Sequence, residues 1–343
     1  EICAMVHVAP ELAQPARRLV IPLTAAASVA GIGAIIGGIS TAGGGQPVGQ
    51  PVGPAASSSS TSSSPTPPSP SPSPATGATS QVALPAYFVG ATSQAGDKFG
   101  LYREFVKTAL PAGATPAQKA KAAVAVAMNA QPFTNVEPYV QPWSSTSVKD
   151  VAVTPSLITI TLSGPGASGF TKEQARLAVQ ELVWTAQAAV GQGTIPVKFS
   201  VANGSSTLFG RYPVAQTYNR PAKDLQYQDL APIWIVSPVR DQVFTAAGAG
   251  APVVASGESC AFEATTAWQL KKSGAVVSSG STTASSGCPQ RGTWKVDLGH
   301  LAPGDYTFRM YEVSMKDGTV AAETSKPLTV KSLSVRPTQP RPS

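Results

Sequence analysis

Side chains able to do acid–base, nucleophilic or metal chemistry are few in this 343-residue chain, and they are scattered. Apart from His7, near the start, the only histidine is His300, in the turn-like stretch LGHLAPGD. A lone histidine in a turn reads as a solvated side chain rather than a general base. Glu263 and Glu312 would be the carboxylate pair of a glycosidase. Both fall on expected strands with outward alternation, beside Lys271 and Arg309, so surface ion pairs account for them better. No G-x-S-x-G, Walker loop, H-E-x-x-H or Cys/His metal spacing occurs, and GIGAIIG (Gly31 to Gly37) lacks dinucleotide spacing. No catalytic, cofactor-binding or metal-binding residue is therefore expected, and the chain does not read as an enzyme.

Two other groups of residues have chemical content. Cys3 precedes a long apolar segment, whereas Cys260 and Cys288 lie far beyond it. If that segment spans a membrane, the last two share the oxidising side, which favours a Cys260–Cys288 disulfide over two buried free thiols. The closed loop would hold about 29 residues and favour the folded state by a few kcal/mol in the chain-entropy model. Phe133, Tyr139 and Trp143 cluster in the Pro-rich loop Gln131 to Thr146. Three coplanar exposed rings there would make a stacking platform for sugar. Packing of the rings within the loop is the competing account, and exposure separates the two.

The elements that must position these residues begin with an export segment. Arg17-Arg18 precedes LVIPLTAAASVAGIGAIIGGI (Leu19 to Ile39), and no Asp, Glu, Lys or Arg occurs between Arg18 and Asp97. Some 21 apolar residues at about 1.5 Å each span roughly 30 Å, the hydrocarbon core of a bilayer. As a retained anchor, the segment leaves residues 1–18 in the cytoplasm and the rest outside. As a cleaved signal, it is followed by Ser40-Thr41-Ala42, small residues suited to a cut before Gly43. Its length favours the anchor and its Ala and Gly content the signal. The expected location is the cell membrane, single-pass with the C-terminal part extracellular, or secretion after cleavage near Ala42. Residues 40–81 are too poor in hydrophobic side chains to offset chain entropy and should be a disordered linker. Within them, SPTPPSPSPSP (Ser64 to Pro74) favours polyproline II and acts as a semi-rigid spacer.

Residues 82–222 alternate strand and helix signals. Ala86 to Val89 and Gly100 to Thr108 pair as strands. Thr115 caps a helix, with Pro116 at its first position and Gln118 completing a capping box. Its apolar stripe is Ala120, Ala123, Val124, Ala127 and Met128. Asp150 to Thr154 and Leu157 to Leu162 are further strands. Thr171 caps a second helix with Gln174, and the stripe there is Ala175, Val179, Leu182, Val183, Ala186 and Val190. Pro196 to Val201 is the last strand. Two strand–strand–helix rounds argue an α+β sandwich with helices on one sheet face. The segments AYFV (Ala86 to Val89), GLYRE (Gly100 to Glu104), DVAVTPSLITITLS (Asp150 to Ser163), ARLAVQELVWTA (Ala175 to Ala186) and PVKFSVANG (Pro196 to Gly204) resemble the sporulation and spore-germination domain called GerMN. The resemblance covers about 120 residues, with a longer aromatic loop than the family usually has. It implies an envelope protein with no catalytic residues, working through protein–protein contact.

Residues 231–331 show short strands with turn signals every 8 to 12 residues, the pattern of an all-β sandwich. The expected strands include Ile233 to Val236, Cys260 to Ala264, Ala267 to Lys271 and Ala275 to Ser279. Trp294, Val296 and Leu298 alternate with polar residues, as do Tyr306, Phe308 and Met310, and a last strand ends near Lys331. The segments IWIVSPVRDQV (Ile233 to Val243), CAFEATTAWQL (Cys260 to Leu270), GTWKVDL (Gly292 to Leu298) and GDYTFRMYEVSMKDG (Gly304 to Gly318) resemble the immunoglobulin-like domain of bacterial spore germination. That domain commonly follows a GerMN domain, so the two resemblances support each other. Residues 332–343 are expected to be a disordered tail.

The formal net charge is +7. Residues 82–222 hold eleven Lys and Arg against six Asp and Glu, and residues 231–331 hold nine against eight. No run of more than two basic residues occurs, which argues against nucleic acid as a partner. The chain thus reads as a non-enzymatic, membrane-tethered envelope protein whose modules bind other envelope proteins or self-associate. A wall-polymer or carbohydrate-binding protein is the alternative, with Phe133, Tyr139 and Trp143 as its surface.

Overall fold

The computed structural model describes residues 79–333 apart from 94, 130–138 and 241. The segment 19–39, Cys3 and residues 40–78 of the linker and 334–343 of the tail lie outside the described residues, whereas Thr79 to Gln81 and Ser332, expected to be disordered, belong to strands. Among those described, no helix is long and apolar enough to cross a membrane. The described residues fall in one compact unit.

The chain enters through β1 (Thr79–Ala91) and β2 (Phe99–Pro111), an antiparallel two-stranded sheet, and continues into α1 (Pro116–Asn129). Next come β3 (Val148–Val153), β4 (Ile158–Leu162), α2 (Lys172–Ala189) and β5 (Val197–Val201). Short strands β6 (Thr207–Leu208), β7 (Tyr212–Pro213) and β8 (Thr217–Tyr218) follow. A four-stranded sheet runs in the order β3-β4-β5-β8, with β4 and β5 parallel across the α2 crossover. Both helices start where their capping boxes place them. Gln118 N donates to Thr115 Oγ1 at 3.2 Å while Thr115 N donates to Gln118 Oε1 at 2.8 Å. Thr171 and Gln174 repeat the exchange at 3.2 and 3.0 Å. The five stripe residues expected on α1 are its buried residues.

The layering differs from helices on one face of a single sheet. A helix covered on one side buries one stripe, but α2 buries every residue from Glu181 to Ala186, and Gln187 as well. The β1–β2 hairpin, α1 and the four-stranded sheet share one core with it, so α2 is enclosed. Enclosure puts polar groups to structural use. The edge of β1 facing away from β2 has free amide groups, and α2 supplies acceptors to them. Thr185 Oγ1 accepts from Tyr87 N at 2.9 Å, and Glu181 Oε1 accepts from Val89 N at 3.1 Å. Two residues along a strand and four along a helix both advance by about 6–7 Å, so one helix face matches alternate amides.

The second part contains β9 (Ile233–Ser237), β10 (Val243–Ala246), β11 (Ala251–Ser259), β12 (Thr265–Lys272) and β13 (Ala275–Thr283). It ends with β14 (Gly292–Leu301), β15 (Gly304–Val313) and β16 (Val320–Ser332). A five-stranded sheet in the order β10-β16-β15-β12-β13 packs on a three-stranded sheet in the order β14-β11-β9. Ser273 and Gly274 form a two-residue hairpin turn between β12 and β13, both with positive φ (49° and 83°). One expectation fails here. Cys260 to Ala264 is not a strand: Phe262 to Ala264 is a 3-10 turn, with Glu263 and Ala264 at φ 55° and 58°. The strand is β11 just before it, whose Pro252 and Gly257 hide its period-2 pattern. Gly257 is required there, because a Cβ would lie 1.9 Å from the Trp234 carbonyl oxygen and 2.5 Å from the Trp294 ring.

The expected disulfide is present between Cys260 and Cys288, 28 residues apart. Closing a loop of that length favours the folded state by about 3–4 kcal/mol in the chain-entropy model. Replacing both cysteines with Ser should lower the unfolding free energy by about that amount in denaturant titration. A thiol probe on the unreduced chain should label Cys3 alone, and labelling of Cys260 or Cys288 would contradict the bridge.

The two parts are joined through backbone and charge. Leu101 N donates to Asp229 O at 2.7 Å, while Leu101 O accepts from Ala231 N at 2.9 Å and Trp234 Nε1 at 2.8 Å. Gly100 permits this approach, since a Cβ there would come within 2.8 Å of the Ala231 backbone. Lys326 lies on the inward face of β16, and its Nζ donates to Glu104 Oε2 at 2.6 Å and Ile235 O at 2.7 Å. Glu104 also accepts from Tyr139 Oη at 2.6 Å. Lys326 and Glu104 are each only 3 % exposed, so the pair bridges the parts away from water.

Candidate functional site

Where the two parts meet, a cleft of about 690 Å³ opens between them. Its floor comes from two cross-strand pairs. Tyr87 stands opposite Arg103 in the β1–β2 hairpin, and Trp234 stands opposite Glu258 in the β9–β11 pair. Directly opposed residues of an antiparallel pair project from the same face. The two pairs meet: Arg103 forms an ion pair with Glu258 and lies over the Trp234 ring at 4.8 Å. Tyr87 packs edge-on against Trp234 at 6.0 Å and, tilted, against Trp184 of α2 at 5.4 Å. The result is a buried row of three rings, Trp184, Tyr87 and Trp234, each 2–3 % exposed.

Two further arginines lie on this row. Arg220, just after β8, lies over Trp184 at 4.2 Å and donates from Nη2 to the Trp184 carbonyl at 2.8 Å. Asn219 fixes the turn that delivers it, its Oδ1 accepting from Arg220 N at 2.9 Å and from Gln187 Nε2 at 2.6 Å. Gly193 leaves room for the guanidinium, because a Cβ there would lie 3.0 Å from Nη1. Arg291 precedes β14, lies over Trp234 at 3.8 Å, and donates to the carbonyls of Ala231 and, at 3.3 Å, Glu258. Lys223, Asp224, Gln226 and Tyr227, on a 3-10 turn, line the same cleft.

The electrostatics are cationic. Arg103, Arg220, Lys223 and Arg291 line the cleft against Asp224 and Glu258, and Glu258 is already paired with Arg103. Burial lowers Arg291 to about 10, with Glu258 opposing the shift and Arg103 adding to it. Burial also lowers Arg220, and neighbouring Arg103 adds to that. Burial raises the Tyr87 hydroxyl, against the pull of Arg220 and Arg103. Even so lowered, Arg291 is a cation at neutral pH. The cleft lining contains no histidine, serine or threonine, and its cysteine, Cys260, is in the disulfide.

The residues singled out from sequence sit elsewhere. Trp143 is 1 % exposed and donates to Glu181 Oε2 at 3.0 Å, so it offers no face to a sugar. Tyr139 is half-buried and stacks on Phe88 at 5.2 Å, and Phe133 lies outside the described residues. Packing, rather than a sugar platform, accounts for the first two. His300 is exposed on β14 rather than in a turn. Glu263 and Glu312 are not the expected surface ion pairs: Arg309 pairs with Glu323, and Glu312 accepts from Phe262 N at 2.7 Å. Among the described residues, no group of three His, Cys, Asp or Glu could hold a metal.

Residues 232–319 match the immunoglobulin-like domain of bacterial spore germination. Trp234, Glu258 and Arg291 lie inside this germination domain, whereas Tyr87, Arg103, Trp184 and Arg220 lie before it. No curated protein matches the chain significantly. Among solved structures, CopC from Methylosinus trichosporium OB3b aligns at 19 % identity over 29 % of this chain and 94 % of its own, with a TM-score of 0.21. A chain described as a lipoprotein from Clostridium perfringens aligns at 12 % identity over 41 % of this chain and 88 % of its own, with a TM-score of 0.24. At these scores neither likeness bears on function.

Proposed function

We propose that the chain is a non-enzymatic envelope protein, held outside the membrane, that docks an acidic partner protein in the cleft between its two parts. The observation that carries this reading is the cleft itself: guanidiniums fixed over a buried aromatic row. Such arginine–aromatic clusters give binding sites their strongest contacts. The germination immunoglobulin-like domain supports an envelope setting. The resemblance of residues 82–222 to GerMN supports protein–protein contact as the work of the first part. Residues 19–39 would supply the membrane tether and residues 40–81 a spacer that sets the cleft at a distance from it.

A photo-crosslinker at Tyr227, 43 % exposed at the cleft, tests the reading. In envelope preparations it should capture one discrete partner that a crosslinker at Lys198, on the outer surface of β5, does not. Equal capture from both positions would overturn it. External protease should degrade the chain in intact cells, and full protection would overturn the placement outside the membrane.

A further inference from the structure

The three guanidiniums of the cleft are not equivalent. Arg103 is committed to Glu258. Arg220 has no carboxylate pair among the described residues, and its Nε is buried without a hydrogen-bond partner. Arg291 is held by the carbonyls of Ala231 and Glu258, and likewise pairs with no carboxylate side chain among the described residues. Carbonyl acceptors fix the direction of a guanidinium without neutralising it. The Trp184 and Trp234 faces beneath, at 4.2 and 3.8 Å, hold its plane and exclude water from one side. An ordered, weakly hydrated fork of donors matches the two oxygens of a carboxylate or a phosphate.

We infer that Arg220 and Arg291 are oxyanion-binding residues at the two ends of the ring row in the cleft, each guanidinium taking a carboxylate or phosphate group of the ligand. This rests on the proposed reading of the cleft as a binding site and names the chemistry that it takes. Because Arg220 belongs to the first part and Arg291 to the germination domain, neither part alone holds the complete site.

The test is thermal unfolding of the full chain in inorganic phosphate, succinate or chloride at one ionic strength. Phosphate or succinate should raise the melting temperature saturably while chloride does not. Arg220→Gln should weaken that apparent affinity about tenfold or more, and Lys198→Gln should leave it unchanged. A response to phosphate alone assigns a phosphate-bearing ligand, and one to succinate alone a carboxylate. No saturable response, or an equal one in Arg220→Gln, overturns the site. Should that variant not fold, phenylglyoxal modification of the parent chain decides. The stabilising anion should slow modification of Arg220 several-fold, and an unchanged rate would overturn the site. Loss of the oxyanion response with Tyr227 capture intact would end this inference and leave partner docking standing. The converse result would end partner docking alone.

Discussion

Replacing Lys326 with Met should lower the unfolding free energy by about 3–5 kcal/mol, because it strands the Glu104 carboxylate in the interior. Lys326 Nζ is the cation at 2.6 Å from that carboxylate, and both side chains are only 4 % exposed. Glu104→Gln should cost less, since the amide oxygen still accepts from Tyr139 and Lys326 keeps the Ile235 carbonyl at 2.7 Å. Combining Lys326→Met with Glu104→Leu removes both charges together and should cost much less than the two single changes added. Guanidinium chloride titration reads all of these. A loss under about 1 kcal/mol for Lys326→Met would show that the pair is not buried as described. Because the ammonium and the carboxylate come from opposite parts, the single change should also loosen the cleft and weaken any anion response.

The second large effect centres on Glu181, buried in α2 beneath the β1–β2 hairpin. Glu181→Ala leaves the Val89 and Trp143 N–H groups without their acceptor and should cost about 2–5 kcal/mol. Its acidity gives a separate signature. Burial holds the carboxyl well above the ordinary range, and the hydrogen bonds from Val89 and Trp143 oppose this only in part. Between the ordinary and the raised pKa, the folded chain keeps a proton that the unfolded chain has released. The native state then binds more protons, so stability falls as pH rises. The contribution is fully present below the ordinary carboxylate pKa and is lost on passing through the raised one. Glu181→Gln, which cannot ionise, should lack this decline. The stability of the parent relative to the variant should therefore fall by about 1.4 kcal/mol per pH unit within that window. Denaturant midpoints from pH 4 upward measure it, and parallel curves would refute the assignment.

Much of the fold is legible from local signals. Both Thr-x-x-Gln boxes start helices where they stand, and the stripes at Ala120 to Met128 and at Tyr306 to Met310 are buried as their periods require. Local signals fail where tertiary contact decides. Pro252 and Gly257 break the look of a strand, yet Gly257 is there because Trp234 and Trp294 close over it. The position of α2 between two sheets is invisible in its stripe, since Glu181, Thr185 and Gln187 read as solvent-facing until their partners on β1 and Ile195 are known. The cleft was the least legible feature. Arg103, Trp184, Arg220, Trp234 and Arg291 are spread over almost 200 residues, with no common spacing. Lys326 gave only a faint sign: a charge at an inward position of an alternating strand.

The disulfide has a consequence for the cleft that its contribution to stability does not express. Cys260 lines the cleft, and Cys288 lies three residues before Arg291. Without the bridge, the segment carrying Arg291 would be tied back to the 260 region by single hydrogen bonds such as Cys288 N to Ala261 O at 3.2 Å. Reduction would thus loosen one of the two oxyanion-binding arginines before it disturbed either core. Ligand recognition would depend on the redox state of the surroundings even where the fold did not.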